Sequence, residues 1–329
     1  MMHDAASVRV LEPARSGFAR AYWTTMRPYL FPVSGATGLV GLALTKELPT
    51  WRLALGAAVF SVAYGFGQAL TDVTQTDTDA ISAPYRPLVR GELRRSDVLV
   101  VTCAGLVTCA LALVLMNPWS AVLAAVSVAG LATYTRMKRR FWAGPAHNAW
   151  IVALLPAMGA LCGGGALSAT LRHPMVWAAM ASAFFSYATF VLLGYLKDVE
   201  ADRATGYDTL PVRYGRRVTV AVSAACVPPA LAASLALIAM GAGPRSLGWL
   251  VGAAGWVTGA VLLVIAHVRA LRATRDELAH PAIAACVRGY VALHLGDAVL
   301  VRPSLCVPSF VLYACFEIAL ATRPCREQV

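Results

Sequence analysis

Residues 98–135 read VLVVTCAGLVTCALALVLMNPWSAVLAAVSVAGLATYT, without a single Asp, Glu, Lys, Arg or His. A membrane-spanning helix needs about 20 predominantly apolar residues, so this stretch is long enough for two. Asn117, Pro118, Trp119 and Ser120 interrupt it at its middle with turn-forming and interfacial side chains, which predicts a helical hairpin folded there. Working outward, uncharged gaps also run over residues 28–45, 53–71, 149–171, 174–196, 218–244 and 246–266, and each fits one span. These make eight helices. Beyond them Arg288, His294, Asp297 and Arg302 break the pattern, and a ninth span is expected at 303–321 with Glu317 inside it.

Composition points the same way. The 329 residues are 58% hydrophobic and 14% charged, against roughly 45–50% and about 25% in soluble domains, which excludes an ordinary soluble enzyme. Gly and Pro are spread along apolar stretches without a tract or a G-x-y period, which excludes disorder and fibrous repeats. The net charge of +11 would point to nucleic acid in a soluble chain, but its distribution explains it otherwise. With the N-terminus cytoplasmic, 20 Lys and Arg fall on inner segments: Arg9, Arg15, Arg20 and Arg27, then groups around residues 86–95, 136–140, 197–217 and 269–275. Lys46, Arg52, Arg172 and Arg245 fall on outer connections, a ratio of 20 to 4 with the four arginines of the C-terminal region left out. This is the positive-inside asymmetry of a multi-pass membrane protein, so the lipid bilayer is a partner and nucleic acid is not expected to be. In a bacterium the cytoplasmic membrane is the expected location. The expected organisation is a cytosolic segment 1–26, one membrane domain 27–322 and a tail 323–329. Eight cysteines show no C-x-x-C spacing and all but Cys325 lie in apolar stretches, where a thiol packs as a small hydrophobe. The N-terminal segment has no apolar run followed by a cleavage site, so no cleaved signal peptide is expected.

The acids carry the chemistry. Of 17 Asp and Glu, nine lie in two short segments that the topology puts on one membrane face, residues 72–97 and 198–208. In TDVTQTDTDA (71–80), Asp72, Gln75 and Asp79 stand at i, i+3 and i+7 on one side of a continuing helix, and Asp77 points elsewhere unless that helix breaks. In YLKDVEAD (195–202), Tyr195, Asp198 and Asp202 form a second stripe. Carboxylates near helix ends are often only solvated, and beside arginines they often form surface ion pairs worth little. Two facing stripes can instead hold hard divalent cations that bridge to phosphate oxygens, while the neighbouring Arg side chains contact the same phosphates bidentately. Pro84 and Pro87 forbid a regular helix through APYRPLVRGELRR, leaving Arg86 able to fold back over that face.

These residues resemble the UbiA-type intramembrane prenyltransferase superfamily. Its N-D-x-x-D-x-x-x-D and A-I-x-x-P-x-R-P-L motifs appear as TDVTQTDTDAISAPYRPL, and K-D-x-x-x-D-x-x-x-G-x-x-T-L-P as KDVEADRATGYDTLP, residues 197–211. Arg27-Pro28 and the Tyr134, Lys138, Arg139 spacing match as well. The chain departs from the pattern at Thr71 for Asn, at Gln75 for the middle acid, and at Tyr195 for an acid of the second motif.

The resemblance implies an all-α polytopic bundle of nine transmembrane helices around a central apolar cavity, closed by the cytosolic Asp-bearing loops. It implies Mg2+ as cofactor, held by Asp72, Asp79, Asp198 and Asp202, with Asp77 as a substitute ligand. Those four aspartates, with Lys197 and Tyr195, form the expected catalytic set. Arg27, Thr71, Gln75, Arg86, Tyr134, Lys138 and Asn148 are the expected substrate contacts, although Asn148 also suits a helix cap. The implied partners are a prenyl diphosphate donor and a lipophilic acceptor, an aromatic ring in the first instance. The implied reaction is Mg2+-assisted departure of diphosphate and transfer of the isoprenoid to that acceptor. Aromatics flanking the motifs, among them Tyr64, Phe66, Trp142, Trp150, Tyr187 and Phe190, suit either cation stabilisation or helix packing. A terpene cyclase using the same ionisation without an acceptor is the alternative reading. A transporter is the third, and the placement of ionisable residues at one face rather than the midplane argues against it.

Overall fold

The structure, a computed structural model, describes residues 17–45, 47–141 and 143–323. Arg9, Arg15, Lys46, Trp142 and Cys325, with most of the expected 1–26 and 323–329 segments, lie outside the described residues.

The uncharged stretch from 98 to 135 forms the hairpin its turn residues predict. Numbering in chain order, α1 (Phe18–Met26), α2 (Phe31–Ala43), α3 (Thr50–Thr74) and α4 (Thr76–Ser82) lead to α5 (Arg95–Met116) and α6 (Ser120–Lys138), the two arms of that hairpin. Asn117 fastens its turn. The side-chain amide donates to the Leu161 and Gly165 carbonyls at 2.8 and 3.0 Å, and its oxygen accepts from the Trp119 N–H at 3.0 Å. Asn suits this place because its short amide can satisfy turn backbone that water would otherwise satisfy. There follow α7 (Ala143–Leu161), α8 (Leu167–Arg172), α9 (Pro174–Gly194), α10 (Val199–Ala204), α11 (Leu210–Gly241), α12 (Leu247–Arg272), α13 (His280–Val301) and α14 (Cys306–Ala321). The described strands are the two-residue β1 (Arg140–Phe141) and β2 (Asp208–Thr209), which pair in parallel and tie the α6–α7 connection to the chain after α10.

Among the described residues, eight helices are long and apolar enough to cross a membrane. They are α3, α5, α6, α9, α11, α12, α13 and α14. Helices α2, of 13 residues, and α7, which opens with Pro145, His147 and Asn148, pack inside the same bundle. Two of the nine expected spans, at 28–45 and 149–171, fall on α2 and α7 and are not among these eight, and α13 joins them where none was expected. In the most apolar part of this helix 89% of the residues are buried, against at most 61% in any other span. Its charges are absorbed by partners. Arg288 donates from Nε to both carboxylate oxygens of Glu317 in α14 at 2.8 and 2.9 Å. His294 lies 3.4 Å from Asp297 and shares a 2.9 Å hydrogen bond with Ser186 of α9, while Ser234 of α11 donates to Asp297. Ionisable groups within a bundle face inward and pair in this way. Backbone contact with α12 also seats α13: a Cβ added at Gly259 would stand 2.5 Å from the Leu293 amide nitrogen, and one at Gly296 2.7 Å from that of Trp256. Small residues allow such close approach of helices in a membrane.

The N-terminal segment is not wholly an appendage. Helix α1 buries Ala21, Tyr22, Thr25 and Met26, and the Tyr22 hydroxyl shares a 2.8 Å hydrogen bond with Thr102 of α5. Arg27 ends α1 at φ 53°, ψ 63°, the single non-glycine residue at positive φ among those described. Such a conformation costs on the order of 1–3 kcal/mol and persists where the surroundings over-determine it.

Candidate active site

What over-determines Arg27 is Asp72. Nη2 of Arg27 donates to both oxygens of that carboxylate at 2.7 and 2.8 Å, and Nη1 donates to Gln68. Asp72 stands near the end of α3, and Asp79 lies in α4 beyond the break at Gln75 (φ −119°, ψ 18°). Arg86 spans the break, bonded to Asp72 at 3.3 Å and to Asp79. The loop after Pro84 therefore does fold back over the first motif. The break does not bring Asp77 in. Its carboxylate turns outward to Arg139 at 3.1 Å and Tyr207 at 3.4 Å, with 44% of the side chain exposed. The metal role expected for Asp77 thus falls on a residue that latches α4 to the α6–α7 connection.

The second motif divides as well. Asp198 is paired with Lys197 at 3.1 Å and faces the cavity described below. Asp202, one helical turn on, is 0% exposed. One of its oxygens accepts from Lys138 at 3.2 Å and the other from Thr209 at 3.2 Å. The stripe of sequence that groups Asp198 with Asp202 is interrupted between α9 and α10, so Asp202 is turned inward to hold Lys138. Lys138 in turn donates to Gln75 Oε1 at 3.4 Å, and the Gln75 amide donates to Thr135 at 3.3 Å. The Lys138 ammonium also lies over the rings of Tyr195 and Tyr207, 5.4 and 5.0 Å from their centroids. Tyr195 and Tyr134 share a 3.3 Å hydroxyl contact.

These groups surround one cavity of about 250 Å³. Asp72, Asp79, Asp198, Arg27, Thr71, Gln75, Arg86, Tyr134, Lys138, Asn148, Tyr195 and Lys197 all line it; of the expected site residues, Asp77 and Asp202 do not. Past the charged end its wall is apolar, with Phe60, Leu113, Ile151, Leu155 and Met158. Tyr64, Tyr187 and Phe190 also face it. Sequence reasoning missed Gln68, Thr209 and Tyr207 as supports. Gln68 stands one turn before Asp72, so extending the first stripe backward reaches it, and Thr209 lies inside the second motif. The contacts of Tyr207 leave no local signal.

Charge organises the mouth. Burial raises the Asp79 pKa against the pull of Arg86, and the neighbouring carboxylates of Asp72 and Asp198 add to it. Burial works against ionisation of Asp198 too, yet Lys197, Lys138 and Arg86 outweigh it and bring that carboxyl down to about 2. Asp202 is raised by burial, with Lys138 opposing. Three acids and four cations line the cavity. Among the described residues no three His, Cys, Asp or Glu side chains stand together as a ready metal cage. The donor set nevertheless fits Mg2+, which takes oxygen ligands and binds through one or two carboxylates plus substrate phosphates rather than in an all-protein cage. Asp72, Asp79 and Asp198 offer those oxygens to the cavity, and the surplus cation matches an anionic ligand.

Known proteins share both sequence and shape with this chain. The profile of the UbiA prenyltransferase family matches residues 30–285. The digeranylgeranylglyceryl phosphate synthase of Natronomonas pharaonis is 31% identical over 242 residues, 72% of this chain and 80% of that protein. The protoheme IX farnesyltransferase of Geobacter sulfurreducens is 33% identical over 143 residues, 43% of this chain and 53% of that protein. Among solved structures, a UbiA homolog from Aeropyrum pernix K1 superposes with a TM-score of 0.67 at 18% identity, covering 86% of this chain and 97% of its own. A UbiA homolog from Archaeoglobus fulgidus bound to DMAPP and Mg2+ superposes with a TM-score of 0.58 at 16% identity, covering 91% and 96%.

Proposed function

This chain belongs to the UbiA prenyltransferase family, and from that premise we propose that it moves an isoprenoid group from an allylic polyprenyl diphosphate to a lipophilic acceptor in an Mg2+-dependent reaction releasing diphosphate. The observation that carries this reading is a cavity charged at one end and apolar beyond it, which matches a diphosphate head on a hydrocarbon chain. Arg27, Arg86, Lys138 and Lys197 donate to phosphate oxygens, and Asp72, Asp79 and Asp198 hold the metal. These carboxylates would hold Mg2+ when it is bound, and its chemistry there would be to offset charge on the leaving diphosphate. For this Arg86 exchanges its bonds to Asp72 and Asp79 for phosphate oxygens, and Arg suits that exchange because its planar fork serves both kinds of oxygen pair. The apolar wall keeps water from the allylic cation, and the faces of Tyr64, Tyr187 and Phe190 lie along its path.

An aromatic ring stacked on those faces is the first reading of the acceptor. A prenylated glyceryl phosphate is the second, favoured by the fourth cavity cation and by the name of the Natronomonas relative. The distribution of Lys and Arg supports reading the motif face as cytosolic, with residues 27–322 read as a single membrane domain. The test is diphosphate release from geranyl, farnesyl and geranylgeranyl diphosphates in membranes bearing the protein, with a phenolic acceptor, a prenylated glyceryl phosphate or none. Release that needs Mg2+ and one acceptor supports transfer and names its class. Acceptor-independent hydrocarbon would mean a cyclase, and no Mg2+-dependent release would overturn the proposal.

A further inference from the structure

Asp198 is bracketed by a pair of residues that neither acidic motif contains. It occupies the N-cap position of α10 with non-helical angles (φ −118°, ψ 13°), yet its side chain makes no capping hydrogen bond. An N-cap Asp ordinarily accepts from the backbone N–H two or three positions on. Here the N–H of Glu200, two positions on, donates instead to Asp276 Oδ2 at 2.9 Å. Asp276 comes from the loop between α12 and α13, 76 residues away in sequence. Its other oxygen is held by Arg216 of α11, and the second arm of the same guanidinium donates to the Leu196 carbonyl at 2.6 Å. Arg216 follows Gly215, whose φ of 83° interrupts α11 at that point. The side chains of Arg216 and Asp276 are 18% and 12% exposed, so this is not a solvent-swept surface pair.

We propose that Asp276, held by Arg216, caps α10 in place of Asp198 and so keeps the Asp198 carboxylate turned to the cavity. The need for an external cap follows from length. Helix α10 has six residues, well under the roughly 12–15 at which a helix holds by itself. Its own N-cap side chain is committed to Lys197. With one oxygen already accepting from Lys197, an Asp198 carboxylate that also took the Glu200 N–H would have less acceptor capacity left for a ligand in the cavity. The pair grips the chain on both sides of Asp198, at Leu196 and at Glu200, and thereby fixes where that residue stands. Arg216 and Asp276 are positioning residues, and the α12–α13 loop becomes a third contributor to the site beside the two motifs. The inference rests on the reading of Asp198 as a cavity carboxylate for a metal–diphosphate ligand.

The test uses the full-length protein in detergent with two readouts. The first is hydrogen exchange of the peptide covering residues 196–207. The second is Mn2+ binding by electron paramagnetic resonance in the presence of a non-hydrolysable farnesyl diphosphate analogue. Asp276→Ala and Arg216→Gln should speed exchange in α10 and weaken Mn2+ binding by about fivefold, the factor that one lost cap represents, at a temperature well below the onset of melting of each variant. Asp276→Asn keeps an acceptor for the Glu200 N–H and should retain most of the exchange protection. It also guards the test should the alanine variant not fold. Unchanged exchange in Asp276→Ala, or Mn2+ binding within twofold of wild type in both variants, overturns the proposal, as does a loss of binding that only follows a fall in melting temperature. If the wild-type protein binds no Mn2+ with the analogue, the metal reading of the site fails, and the exchange data still decide whether Asp276 caps α10.

Discussion

Asp198 and Asp202 look interchangeable as letters of one motif, and their surroundings make them different residues. Asp202→Ala leaves the Lys138 ammonium buried without its carboxylate. Breaking a buried pair by removing one partner costs about 3–5 kcal/mol, so the melting temperature in detergent should fall clearly. Asp198→Ala frees Lys197, whose side chain is 14% exposed and opens to the cavity, and should lower turnover by orders of magnitude with a smaller stability loss. Equal melting temperatures for the two variants would contradict this assignment. Gln75 can be tested in the opposite direction. Gln75→Asp keeps an acceptor for Lys138 and adds a fourth acid to a cavity lined by four cations and three acids, at the expense of the 3.3 Å donation to Thr135. Turnover should persist and the Mg2+ concentration for half-maximal rate should drop; a collapse of turnover would mean that the amide donor is itself needed.

At the scale of elements, the segment from Ala83 to Arg94 is a strap whose closure depends on Arg86. Its guanidinium bridges two carboxylates on either side of the α3–α4 break, whereas Arg90 pairs with Glu92 within the same segment and is 40% exposed. Tryptic cleavage after Arg90 or Arg94 should therefore slow when Mg2+ and a donor analogue are added, because Arg86 exchanges the two carboxylates for a bidentate bond to phosphate oxygens and closes the strap over the ligand. Arg86→Ala should cut faster than wild type and lose that protection. Arg86→Lys should regain only part of it, since an ammonium has no planar fork to serve two acceptors at once. If cleavage rates in Arg86→Ala match wild type with and without the analogue, the strap is held by something other than Arg86.

In the molecule as a whole, α13 is the axis on which the bundle is packed, and two charges that look like flaws in separate spans cancel there. Arg288→Leu strands Glu317 and Glu317→Leu strands Arg288, so each should be destabilising by on the order of 1 kcal/mol or more. The double variant should be more stable than either single one, because replacing both members of this half-buried pair with apolar groups leaves neither charge without its partner. Thermal melts of the three variants in one detergent check this. Gly259→Leu drives a side chain into the α13 backbone at Leu293; overpacking of this kind costs about 1–3 kcal/mol, and the bundle should melt earlier.

What the sequence determined by itself was local. Whether a segment is apolar enough to cross a membrane is a sum over consecutive residues, so α3, the α5–α6 hairpin, α9, α11, α12 and α14 are all legible in the chain. The spacing of Asp72, Gln75 and Asp79 follows from helix geometry, and the motif residues that face the cavity were named on that basis. Tertiary structure decided everything that depends on a partner. Helix α13 is invisible to a charge count because the cost of a charge in a membrane depends on what it pairs with, and Glu317 lies 29 residues from Arg288. Asp202 leaves the cavity stripe because helical phase survives only as long as the helix, and the chain breaks between α9 and α10; Asp77 stays outside the cavity even though the helix breaks at Gln75. Asp276 belongs to neither motif, and only the packing of α11 and the α12–α13 loop against α10 brings its carboxylate to the Glu200 N–H. A hydrogen bond forms between atoms that meet in space, and sequence fixes that meeting only through the fold.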